Sequence, residues 1–204
     1  MALLFQYGSN CLDTQINSRD RLCGDAKFIE IAETVDDFQL AFDVWSTNRQ
    51  CAASDIVTSP GNKVWGALYE VPDFLIERKT AAAQNRKSLD AIEGEGTNYK
   101  RDTIAVRRQN GSKITALTYK VRNPKPNLKT SLEYVGYIVK GLREGGVRAD
   151  YIEHVKQLAQ ANNPAIATQL QELLNTLSIC SAPKLPSRIT PVKFQPVIPA
   201  PLGT

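Results

Sequence analysis

The sequence predicts a mixed α+β fold: a small, partly closed, mainly antiparallel β-barrel over about residues 1–122, with flanking helices and further helices C-terminal to it. Three observations predict it. Over residues 27–35 and 38–45, apolar and polar residues alternate in the two-residue rhythm of half-buried strands, and 63–71 is rich in aromatic and β-branched residues. Turns join these strands with no long amphipathic helix between them, which favours antiparallel pairing and a sheet that curls on itself. After residue 128 the apolar residues recur three and four apart, the spacing of a helix face.

The chain opens with Leu3-Leu4-Phe5-Gln6-Tyr7, a buried-strand pattern, and leaves it abruptly at Gly8-Ser9-Asn10, a tight turn. Asp13 to Leu22 is polar with Ile16 and Leu22 as apolar points, which predicts a short surface helix. Strands are expected over 27–35 and 38–45, at 55–58, and over 63–71 after a Ser59-Pro60-Gly61-Asn62 turn. Pro72 suits the first turn of a helix running in an Ala-rich segment toward Asn85, and Ser88 to Gly94 reads as one helical turn, capped by Ser88 and stopped by Gly94. Two more strands, 99–106 and 114–121, flank Asn110-Gly111, a hairpin pair.

Asn123 to Asn127 is a linker, and Thr130 with Glu133 predicts a capping box at the next helix. Leu132, Val135, Ile138, Val139 and Leu142 share its face, and Gly145-Gly146 stops it. Tyr151, Ile152, Val155 and Leu158 stripe a second helix; Pro164 opens a third, striped by Ile166, Leu170, Leu173, Leu174 and Leu177. One domain over 1–178 is therefore expected, its C-terminal helices at about 128–178. Residues 179–204 are expected to form an extended Pro-rich tail.

The net charge of +4 is mostly a property of the tail, where Lys184, Arg188 and Lys193 stand without an acid. A nearly balanced remainder argues against nucleic acid as a partner. Cys11, Cys23, Cys51 and Cys180 form no CxxC pair and His154 is the single histidine, so neither a metal site nor a disulfide framework is expected. The apolar run at residues 2–5 is too short for a secretory leader, and no apolar stretch approaches the ~18 residues of a membrane span. A cytoplasmic protein with no membrane partner is expected, as a monomer or homodimer.

Two stretches carry chemistry. A Gly-Ser-Asn turn after a strand can present backbone N–H groups to a carboxylate or a developing oxyanion. Glu93, just before the helix-stopping Gly94, reads on its own as a solvated surface charge. Together they say more. The Tyr7-Gly8-Ser9-Asn10 loop, Val64-Trp65-Gly66-Ala67-Leu68-Tyr69, Leu89-Asp90-x-x-Glu93-Gly94 followed by Tyr99, Thr118-Tyr119, and Ser131-x-x-Tyr134 resemble the gamma-glutamylcyclotransferase superfamily over roughly residues 3–156.

The resemblance implies an intramolecular reaction without metal or cofactor: the α-amine of a γ-glutamyl group attacks its own γ-amide, giving 5-oxoproline and a free amine or amino acid. It implies Glu93 as general acid/base. It implies substrate binding by Phe5, Gln6, Tyr7, Gly8, Ser9 and Asn10, and by Tyr99, Tyr119 and Tyr134; each tyrosine also has a plain reading as a core-edge aromatic. Asp90 and Glu95 are weaker candidate acids, and Cys11, without an evident base, reads as packing. The ChaC-type branch, which acts on glutathione, usually has leucine where this chain has Asn10, so the resemblance leans toward the branch acting on γ-glutamyl amino acids or amines. Two other readings stay open: a non-catalytic binding or regulatory module, and a biosynthetic cyclotransferase that removes a γ-glutamyl protecting group.

Overall fold

The computed structural model describes residues 1–180, with side chains through Leu177; the Pro-rich segment from residue 181 on lies outside the described residues. The expected architecture is present. Strands β1 (Ala2–Gln6), β2 (Lys27–Thr34), β3 (Phe38–Ser46), β4 (Cys51–Thr58), β5 (Trp65–Val71), β6 (Tyr99–Arg107) and β7 (Lys113–Val121) build it. Five close into a barrel in the order β1-β5-β2-β6-β7, antiparallel except where Leu4 on β1 pairs with Leu117 on β7 in parallel. The β3–β4 ribbon stands outside the ring as a separate two-stranded sheet. Alternation along 38–58 signals strands but not which sheet they join.

The core includes Leu4, Phe5, Leu68 and Val106, all without exposed surface; because successive strand residues face opposite sides, Leu4 and Phe5 show that both faces of this part of the barrel wall are covered. The β6–β7 hairpin turns as expected at Asn110-Gly111, where Gly111 takes the left-handed φ of +83°. No described helix is long and apolar enough to cross a membrane.

Two of the helical segments before the barrel ends are shorter than expected, and those after it keep close to the expected bounds. Helix α1 (Asp13–Ile16) is one turn, not the ten residues expected, because the Asn17 side chain pairs with both backbone groups of Ala26, at 2.8 and 2.9 Å, and closes residues 17–26 into a loop. Pro72 precedes a 3₁₀ turn, Asp73–Leu75, and then α2 (Arg78–Ala82), so the Ala-rich segment does not form a single helix. Ser88 caps α3 (Leu89–Ile92) as expected, accepting from the Ala91 N–H at 3.1 Å.

Three helices follow the barrel: α4 (Leu132–Glu144), α5 (Ala149–Asn162) and α6 (Ala167–Cys180). The cap of α4 is Ser131, which accepts from the Tyr134 N–H at 3.2 Å; the Thr130–Glu133 capping box does not form. Asn162, the last residue of α5, and Asn163 after it take the Thr130 backbone N–H and C=O, fixing that residue before α4 begins.

Helix α4 lies directly on the turn that follows β1. A Cβ built on Gly141 would stand 2.4 Å from the carbonyl carbon of Cys11 and the nitrogen of Leu12. Alanine normally gains about 1 kcal/mol over glycine inside a helix, but here the clash is with backbone, and overpacking costs about 1–3 kcal/mol. Gly141→Ala is therefore expected to lower the urea midpoint, against the sign of helix propensity. A raised midpoint would mean that α4 does not bear on this turn.

Candidate functional site

The strand-to-turn exit of β1 places three polar side chains inside the protein. Gln6, the last residue of β1, is buried, as are Ser9 and Asn10 in a 3₁₀ turn (Ser9–Cys11) that Gly8 caps. Buried amides need partners, and two find the same one: Gln6 Nε2 donates to Glu93 Oε1 at 3.1 Å and Asn10 Nδ2 donates to it at 2.8 Å. Asn10 is itself oriented by Arg21, whose Nη1 donates to Asn10 Oδ1 at 3.1 Å.

Glu93 ends α3, and Gly94 at φ +66° turns the chain away. As a whole residue it is partly buried, but its carboxylate is enclosed by protein. Loss of water is the dominant influence and raises its pKa above the ordinary glutamate range; the Arg21 charge and the Asn10 and Gln6 hydrogen bonds oppose the rise without cancelling it. Both hydrogen bonds fall on Oε1. The other two acids of this segment are occupied elsewhere: Asp90 accepts from the Tyr119 hydroxyl at 2.8 Å and pairs with Arg101 at 3.3 Å, and Glu95 pairs with Arg78 at 3.1 Å.

Four tyrosines surround the carboxylate. Tyr7 donates to the Tyr119 carbonyl, and Tyr99 to the Ser54 carbonyl at 2.8 Å. The Tyr134 hydroxyl accepts from the Ser54 N–H at 3.0 Å and bonds its Oγ at 2.9 Å. Burial pushes all four phenols up, so they are neutral hydrogen-bonding groups and not bases at physiological pH. Phe5 stands apart from the others: its ring is core and its carbonyl accepts from Thr118 Oγ1 at 3.1 Å. Cys11 is packing, its thiol on the Gln6 carbonyl at 2.9 Å and pushed up to about 12 by burial.

These groups line two contiguous cavities. An inner chamber of about 30 Å³ is bounded by Gln6 to Asn10, Ser54, Glu93 and Tyr99, Tyr119 and Tyr134. An outer cavity of about 180 Å³ shares Ser9, Asn10, Glu93, Tyr99 and Tyr134 with it. The structure thus brings together every expected site residue except Phe5. It adds Ser54, Arg21, and the end of β3 with the turn after it, Trp45 to Arg49, which walls the outer cavity. Ser-Thr-Asn-Arg-Gln between two strands reads only as a turn; nothing local says what it covers.

The arrangement holds a desolvated carboxylate with one oxygen fixed, opposite a 3₁₀ turn whose leading N–H groups lack intrahelical partners. Such a pair can move a proton at one end of a small polar molecule and hold negative charge at the other.

Comparison with known proteins gives a consistent result. Residues 4–137 match the family model described as gamma-glutamyl cyclotransferase, AIG2-like. Among solved structures, one titled gamma-glutamyl cyclotransferase is 28% identical, with a TM-score of 0.63, over 76% of this chain and 86% of its own. An uncharacterized protein from Homo sapiens is 29% identical, with a TM-score of 0.63 and the same coverage. YkqA from Bacillus subtilis, at 17% identity and a TM-score of 0.62 over 78% of this chain and 54% of its own, shares the fold. No curated protein matches the sequence.

Proposed function

The chain belongs to the gamma-glutamyl cyclotransferase, AIG2-like family, and from that premise we propose that it cyclises γ-glutamyl compounds to 5-oxoproline, with Glu93 as general acid/base. The observation that carries the proposal is the desolvated Glu93 carboxylate, fixed through Oε1 by two amides of the Gln6–Asn10 segment.

The substrate's α-amine is an ammonium near neutral pH and must lose a proton before it attacks. Glu93 takes that proton at Oε2, while Gln6 and Asn10 keep the carboxylate from rotating away. The freed nitrogen attacks the γ-carbonyl carbon, forming the ring C–N bond as the carbonyl electron pair moves onto oxygen. Backbone N–H groups of the Gly8–Asn10 turn and the Tyr134 hydroxyl, the one of the four whose proton is not given to a carbonyl or carboxylate, supply donors for that oxygen and for the α-carboxylate. When the intermediate collapses, the carbonyl re-forms, the γ-carbon to amide-nitrogen bond breaks and Glu93 gives its proton to the departing amine; the ring nitrogen sheds its second proton to the regenerated carboxylate, which passes it to the released amine. No water is consumed.

The raised pKa suits both halves of this cycle, since a group that accepts and then donates works best when its pKa lies near the operating pH. The enclosing walls hold the flexible γ-glutamyl chain folded, with nitrogen facing carbonyl.

The test is direct. The protein is incubated with a panel of γ-glutamyl amino acids, γ-glutamyl-lysine isopeptide and glutathione, and 5-oxoproline is followed by mass spectrometry. Release by the wild type is expected from at least one member, and its absence from all of them assigns the pocket to a binding module instead.

A further inference from the structure

We propose that Arg21 and Arg49 form an anion subsite for the departing half of the substrate, so that this chain prefers γ-glutamyl compounds whose leaving amine carries a carboxylate near the scissile amide. The proposal rests on the cyclotransferase reading for the identity of the ligand, and on the following geometry for the subsite.

The charged side chains lining the outer cavity are Arg21, Arg49 and Glu93. Two cations therefore face one acid, and that acid is the group whose ionisation burial disfavours. A neighbouring groove of about 340 Å³ continues from Arg21 and Arg49 to Asp20 and Lys87. Asp20 is turned toward Ser18, whose hydroxyl donates to it at 2.7 Å.

Among the described residues no carboxylate forms an ion pair with Arg21, which Glu93 and Asp20 balance only from farther off, and the one ion pair of Arg49 is long and on an exposed acid. Arg21 spends Nη1 on the uncharged amide of Asn10, and its Nε is buried without a partner. Arg49 approaches Glu133 only to 3.8 Å, and that carboxylate is 74% exposed and already accepts from the Tyr137 hydroxyl at 3.0 Å. An exposed pair of this length adds little. What holds Arg49 is stacking: its guanidinium carbon lies 4.4 Å from the Tyr137 ring centre and 5.9 Å from that of Tyr134. The side chain is 17% exposed, so it is a fixed cation and not a mobile surface arginine.

The two charges also act against each other. Burial is the main influence against the charged form of Arg21; the Glu93 charge favours that form, the Arg49 charge opposes it, and Asp20 favours it more weakly. A fold that holds two guanidiniums in one cavity at that cost is complementary to a bound anion, for which paired arginines supply fork-shaped donor sets. The place of the anion follows from the hydrogen-bond chain: Arg21 bonds Asn10, and Asn10 bonds the oxygen of Glu93. The subsite is thus two hydrogen bonds from the acid that protonates the leaving nitrogen. A carboxylate on the carbon next to that nitrogen falls within it, and an uncharged alkyl group gains nothing there.

γ-Glutamyl-alanine and γ-glutamyl-ethylamide differ by that one carboxylate and are the probes. Titration calorimetry on the Glu93→Gln variant, which does not consume ligand, is expected to give a Kd for the alanine compound about 10- to 100-fold below that for the ethylamide, a ratio typical of a charge-assisted pair. Adding Arg49→Gln is expected to shrink the ratio at least about fivefold by weakening the alanine compound, and Arg49→Lys to restore part of it. Rising salt should narrow it too. Equal Kd values, or an Arg49→Gln change that weakens both ligands alike, overturn the subsite. Wild-type 5-oxoproline release is measured beside this: a retained Kd ratio without turnover sinks the cyclotransferase reading alone, and turnover with equal affinities sinks the subsite alone.

Discussion

Glu93→Gln is expected to lower 5-oxoproline release by about 10²- to 10⁴-fold, the range that one positioned proton-transfer group contributes, while leaving the fold intact. Glutamine keeps an oxygen to accept from Gln6 and Asn10, so the pocket retains its shape and loses only the ability to take a proton. A merely structural Glu93 predicts the reverse pattern, with activity kept and stability lost.

The same variant tests the electrostatics through stability. The folded-state pKa of Glu93 is raised, so above the ordinary glutamate pKa of about 4.3 the native state holds a proton that the unfolded chain has released. Stability is then lost as pH rises through the raised value, because the unfolded state binds fewer protons. Below the unfolded pKa the contribution is fully present. Glu93→Gln removes this titration, so its melting temperature is expected to exceed that of the wild type by more at pH 8 than at pH 4. An equal difference at both values rules out the desolvated carboxylate. On the activity side, wild-type kcat/KM should rise with pH as Glu93 ionises and becomes able to accept.

Much of this site was legible in the chain because its strongest signals are local. An apolar strand ending in Gly-Ser-Asn, and a Ser-capped turn ending in Glu-Gly, are each written within about eight residues, and the cap forms as read. Even so, residues alone left Glu93 a surface charge; only the resemblance pointed inward, and the partners that enclose it lie 83 and 87 positions away.

Groups that came from distant segments were not legible. Ser54 meets Tyr134 across 80 residues, and Arg21 reaches the site only because Asn17 closes its loop against Ala26 and Arg86 pins it by pairing with Asp25 and donating to the Leu22 carbonyl. Periodicity reports which face of an element is buried but not against what. The misread α4 cap has the same origin. Thr130 and Ser131 are equally good caps by type, and tertiary hydrogen bonds from Asn162 and Asn163 decide between them.

Gly8→Ala tests whether the turn itself is held at the reacting position. At φ −101° and ψ −151° the Gly8 backbone is extended and open to alanine, so any effect must come from space. A Cβ there would lie 2.3 Å from Ser54 Oγ and 3.1 Å from the Tyr134 hydroxyl. Either the serine and tyrosine give up their mutual bond, or the turn lifts and carries Asn10 away from Glu93. Overpacking of this kind costs about 1–3 kcal/mol, and a displacement near 1 Å costs about 10²-fold in rate. Both losses are expected, read by denaturant melts and by 5-oxoproline release.

The cause can be isolated, because Ser54 Cβ stands 3.7 Å from the new atom, an ordinary contact. Ser54→Ala alone should cost only about 1 kcal/mol for a lost hydrogen bond, since the Ser54 N–H still donates to Tyr134. Combined with Gly8→Ala it removes the offending oxygen, so the double variant should be more stable than Gly8→Ala by itself, a strongly non-additive cycle. Additive losses would locate the defect in the backbone and not in the crowding of turn, serine and tyrosine around the inner chamber. Activity should return only in part, because the remaining 3.1 Å approach to the Tyr134 hydroxyl still forces the turn or the ring to move by tenths of an ångström.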